Sequence, residues 1–61
     1  MTVTIRRWAE DECWITSKDE DFLFVFGGLY TVKQNDLFKA MDIIADYANN
    51  KAGKECLFEV G

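Results

Sequence analysis

The side chains best suited to chemistry are carboxylates. Glu10-Asp11-Glu12 and Asp19-Glu20-Asp21 put six of the chain's 11 acids, with Lys18 as the one base, into residues 10–21, a local net charge of −5. The rest of the chain holds five acids and six bases, net +1, so the overall −4 comes from this one stretch. Clustered carboxylates can bind a metal, transfer protons or present an electrostatic surface. Asp19 and Asp21 have the opening spacing of a calcium loop, but Phe24 stands where that loop turns on glycine, and no bidentate glutamate follows at the required distance. With no histidine and two cysteines, a structural zinc site lacks its four donors. Acid–base work needs a pocket that perturbs pKa values, and 61 residues leave little volume for one. No nucleophile stands beside a base, so the expectation is a protein that is not an enzyme and uses no metal or cofactor.

The electrostatic use remains. Polar loops that keep a small domain soluble are one reading of the six acids. Against it, crowding like charges raises their mutual repulsion, which scattered carboxylates avoid. Trp14 sits between the two acidic segments and Trp8 just before the first; each is read either as core or as an exposed interface anchor. Asp42 and Asp46, one helical turn apart, form a second acidic pair that costs its helix a few tenths of a kcal/mol, on the order of 0.2–0.5. A concentrated acidic surface is attracted to a basic groove, so the expected partner is a protein whose own ligand is a polyanion. Direct nucleic-acid binding is not expected. The aromatic run Phe22-Leu23-Phe24-Val25-Phe26 follows three acids, and no base comes after it until Lys33.

These residues must be held by a short list of elements. Val3 and Ile5 alternate with Thr4 and Arg6, predicting a strand over about 2–8; a weaker alternation predicts another over 13–17. The unbroken apolar run from Phe22 reads as a central strand over about 22–32. Gly27-Gly28 either splits that strand as a tight turn or bulges it, and Ser17–Asp21 is expected to be a hairpin loop. Leu37, Ala40, Met41, Ile44 and Ala48 then recur at helical spacing, with Phe38, Ile43, Ala45 and Tyr47 widening the apolar face. That predicts a helix over about 35–51, capped by Asn35 and stopped by Gly53. Alternation resumes in a last strand over about 55–60. The simplest architecture is α+β, one domain over 1–61, with a single antiparallel sheet of four to five strands and one helix packed on one face.

A chain of this length buries only about 60% of its unfolded surface, so core and binding surface draw on the same few aromatics. No stretch approaches the ~18 apolar residues needed to cross a bilayer, and the N-terminus lacks the pattern of a signal peptide, so the expected location is the cytoplasm. Cys13 and Cys56 are read as two buried thiols, with a single bridge as the alternative.

In its size, its acidity, its lack of histidine and its layout, the chain resembles phage-encoded inhibitors of host defence, in particular the anti-CRISPR proteins. The order of strands, helix and strand from Trp14 to Val60 is also similar to that of small phage inhibitors of bacterial RNA polymerase. The resemblance implies a DNA-mimicking inhibitor of a CRISPR effector, acting in the bacterial cytoplasm, with RNA polymerase as the alternative target. The candidate contact residues are Glu10, Asp11, Glu12, Trp14, Asp19, Glu20, Asp21, Asp42 and Asp46. A small homodimeric interaction module using Trp8, Trp14 and Tyr30 is the other reading, with the chain a monomer or a weak homodimer.

Overall fold

The computed structural model describes all 61 residues. Strand β1 (Thr2–Ala9) forms an antiparallel hairpin with β2 (Glu12–Ser17), in a register that sets Ile5 opposite Ile15 and Arg6 opposite Trp14. Helix α1 (Glu20–Phe26) follows, then β3 (Tyr30–Lys33), antiparallel to β2. A short 3-10 turn leads into helix α2 (Leu37–Tyr47), which continues as a wider π turn to Ala52, and β4 (Leu57–Val60) closes the chain. The sheet order is β3-β2-β1-β4.

The domain is α+β as the sequence implies, with two corrections to its layout. The sheet is mixed, because β4 pairs with β1 in parallel. Parallel strands need a crossover connection of about a dozen or more residues, which the long segment through α2 supplies, whereas the seven-residue α1 joins the antiparallel β2 and β3. β3 and β4 are joined through α2, and β1, two strands from β3 in the antiparallel order, shares their direction.

The second correction concerns Phe22–Phe26, a helix where a strand was expected. An unbroken apolar run has no period of its own, so its neighbours decide. Asp19 is extended, and its Oδ1 accepts the amide of Asp21 at 2.9 Å, an N-cap bond; Glu20 and Asp21 then sit at the positive end of the helix dipole. Gly27 terminates the helix at φ +83°, its N–H donating to the Leu23 carbonyl at 3.0 Å. Gly27-Gly28 is thus neither a hairpin turn nor a bulge, and Ser17–Asp21 is a helix entry and not a hairpin loop.

Other boundaries shift less. Asn35 lies inside the 3-10 turn, and α2 begins after Asp36 with no side-chain cap. Gly53 does stop the helical segment, in the left-handed conformation at φ +65°, with Lys54 N–H reaching back to the Ala48 carbonyl at 2.8 Å.

Both helices lie on one face of the sheet. Phe22 from α1 and Ala40 and Ile44 from α2 share a buried cluster with Val3, Ile5 and Ile15, the inward residues of β1 and β2. Phe26 ties the layers together, stacking on Tyr30 at 5.4 Å and meeting Tyr47 edge-on at 5.7 Å, while Tyr47 Oη donates to the Asp21 carbonyl. No helix covers the other face, which carries Thr4, Arg6, Trp14 and Thr16. Only eight residues are buried, and no helix is long and apolar enough to cross a membrane. Cys13 is buried, Cys56 only half-buried, and both are free; burial raises the Cys56 thiol pKa.

Candidate functional surfaces

The nine candidate residues fall into three places. Glu10 and Asp11 form the exposed turn between β1 and β2, and Glu12 opens β2. Arg7 Nη2 donates to the carbonyl oxygen of Glu10 at 3.1 Å and leaves its carboxylate free. Glu12 Oε1 accepts Trp14 Nε1 at 2.7 Å, which fixes the indole against Trp8: the rings stack with centroids 4.5 Å apart and planes 17° from parallel. Trp8 is 66% exposed and Trp14 half-buried, so the pair lies on the uncovered sheet face and outside the core.

The second acidic segment lies at the far end of β2. Five residue steps of strand separate Glu12 from Ser17, roughly 17 Å, so the six carboxylates form two groups and not one continuous rim. Ser17 Oγ donates to the Thr2 carbonyl and accepts the Asp19 amide, leading the chain into α1.

Asp19 and Asp21 share one cation within the molecule, which offsets one of their two charges. Lys54 Nζ lies 3.0 Å from both oxygens of Asp19 and 2.6 Å from Asp21 Oδ2. The hydrogen bond from Lys54 holds the Asp19 pKa below its ordinary value, and the bonds to Asp21 and Asp19 push that of Lys54 up. Two of the six acids are therefore structural, as the N-cap of α1 and a clip between its first turn and the segment after α2. Lys54, 35 residues from Asp19, carries no sequence signal for this role.

The third place is the outer surface of the helical layer. Asp42 and Asp46 are exposed one turn apart on α2, with Asp46 accepting from Asn50 Nδ2. Phe38 precedes Asp42 by four residues on the same stripe and is 80% exposed, so it does not widen the buried face as its spacing suggested. α1 repeats the pattern: Glu20 is exposed, and Phe24, four residues on, is 89% exposed. Glu20, Asp42 and Asp46 have no cation within salt-bridge distance. The opposite sheet face differs in charge, with Arg6 and Lys18 against Glu59 in a threonine-lined cleft of about 490 Å³.

No cluster of three or more metal-ligating side chains is present. Comparison with family models, with curated proteins and with solved structures finds no match.

Proposed function

We propose that this protein is a non-enzymatic inhibitor that docks, helical layer first, into the basic groove of a nucleic-acid-handling complex. The observation that carries this reading is the pairing, on both helices, of an unneutralised carboxylate with an almost fully exposed phenylalanine: Glu20 with Phe24, and Asp42 and Asp46 with Phe38. Exposed aromatic rings supply affinity once buried in a partner's pockets, and surrounding carboxylates give attraction and orientation toward a cationic surface. Three or four carboxylates cannot match a duplex with one charge per ~1.7 Å of axis, so the mimicry covers a few phosphates at most. The resemblance to anti-CRISPR proteins favours a CRISPR effector as the target, blocked in its DNA binding in the bacterial cytoplasm. Glu10 and Asp11 form an outlying contact at the hairpin tip.

The test is capture of a purified CRISPR effector complex by the wild-type chain and by an E20K/D42K/D46K variant, at low and high salt. Loss of capture by the variant, and salt-sensitive capture by the wild type, are expected. Equal capture by both removes the helical layer from the mechanism, and capture of RNA polymerase alone moves the target to the alternative class. Lysine at all of residues 19–21 would be a poor test, since it removes the α1 cap and the Lys54 clip together with the charge.

A second reading rests on a separate observation. The exposed Trp8–Trp14 stack makes the uncovered sheet face a rigid aromatic platform, suited to an interaction module that binds a protein partner there. A W8A variant that fails to capture the partner, with E20K/D42K/D46K unimpaired, would favour it.

A further inference from the structure

We infer that β4 is a self-association edge, through which two copies of the chain join their sheets about a two-fold axis. The first ground is the direction of its backbone groups. Leu57 N–H donates to the Met1 carbonyl at 2.8 Å and Gly61 N–H to the Ile5 carbonyl at 3.0 Å, so the odd-numbered residues of β4 face β1. Strand alternation then turns the N–H and C=O groups of Phe58 and Val60 away from the sheet. No other turn, loop or cap bond reaches either residue.

The second ground is where the core layer stops. Val60 is the register partner of buried Ile5 and lies on the same, helix-covered side, yet it is 88% exposed; Leu57, on the other side, is 63% exposed. Exposed strand edges are ordinarily guarded by short length, by charged side chains, lysine above all, by proline or by a bulge. The opposite edge ends in Lys33, whereas β4, equally short, reads Leu-Phe-Glu-Val, with no lysine, proline or bulge and Glu59 as its one charge.

The third ground is that the strand suits its own copy. Facing residues of an antiparallel ladder point to the same side of the sheet, so the sum of their numbers must be even when a strand pairs with itself. A centre on Glu59 sets two carboxylates directly opposite, which is unfavourable. A centre on Phe58 sets Phe58 against its equivalent, Val60 against Cys56 and Leu57 against Glu59. The outward N–H and C=O groups of both strands then bond each other, and Val60 extends the apolar layer of Cys56 and Phe58. The product is an eight-stranded sheet with all helices on one side. Five residues from each copy, Cys56 to Val60, make an interface below the ~1,200 Å² of stable complexes, so the dimer is reversible.

Sedimentation equilibrium from micromolar to millimolar concentration tests this, with V60P and V60K variants alongside. Proline at 60 removes an outward N–H that the monomer does not use, and lysine places a charge where the second copy packs. The wild-type mass should rise from 7.1 kDa toward twice that value, and each variant should weaken association by at least about tenfold, the equivalent of ~1.4 kcal/mol. Should V60P alter the far-ultraviolet circular dichroism spectrum of the fold, V60K carries the comparison. A mass fixed at 7.1 kDa, growth beyond the dimer, or dimers unaffected by V60K would each overturn the inference. Capture through the helical layer is read separately, since neither variant touches Glu20, Asp42 or Asp46.

Discussion

Lys54 Nζ bridges the two carboxylates of Asp19 and Asp21, at 3.0 and 2.6 Å, and so fastens the segment after α2 to the first turn of α1. Substituting Lys54 with methionine should lower the thermal midpoint and change how stability responds to acid. Asp19 has a folded pKa below its ordinary value of 3.8. Its contribution is therefore present above 3.8 and lost as pH falls through the lower, folded value. The raised pKa of Lys54 acts at the other end, its contribution present below 10.5 and lost only in stronger alkali. Urea melts of wild type and K54M at pH 6 and pH 2.5 should differ at the first pH and converge toward the second. An equal gap at both would mean that the bridge contributes no pH-dependent stability.

Phe22 is fully buried in the core cluster and packs against Phe26 in a tilted arrangement, ring centroids 5.0 Å apart. Phe22→Ala should cost about 3–5 kcal/mol, a large part of the 5–15 kcal/mol that holds ordinary domains together. Phe24→Ala, two residues away but almost fully exposed, should leave the melting curve nearly unchanged. Chemical denaturation of both variants checks the contrast. Similar losses would show that the helix is rotated relative to the arrangement described.

Gly27 ends α1 at φ +83°, ψ −173°, a region that side chains rarely enter. Gly27→Ala should destabilise by about 1–3 kcal/mol even though an added Cβ meets nothing within 4 Å, because the strain lies in the backbone. Gly28→Ala should cost less, since Gly28 has no positive φ. Equal costs at the two positions would place the turn elsewhere.

Trp8 and Trp14 are close enough for their transitions to couple, at 4.5 Å between centroids. Trp8→Ala should remove the exciton signature of the pair in the circular dichroism spectrum and cost only about 0.5–1.5 kcal/mol, because the ring is mostly exposed. An unchanged spectrum would mean that the indoles are not stacked in solution.

The strands were legible where burial alternates, as at Val3 and Ile5, and α2 where apolar residues recur each turn. What was hidden was decided by partners far away in sequence. The run from Phe22 reads as a strand until the cap at Asp19 and the stop at Gly27 are weighed against aromatic β-preference. The alternation of residues 56–60 predicts a strand but not its direction, which follows from the route of α2. Nor does charge counting reveal that Lys54 takes two of the six clustered acids, or that Phe24 and Phe38 are left outside.

The parallel pairing of Thr2–Ile5 with Leu57–Val60 also bears on how the molecule forms. A contact between such distant segments cannot help until most of the chain has been ordered, and closing so wide a loop delays its reward. Pairing of β4 with β1 should therefore be a late step in folding. Until β4 docks, β1 keeps an unmatched flank, and a partly folded intermediate of that kind would be open to proteases.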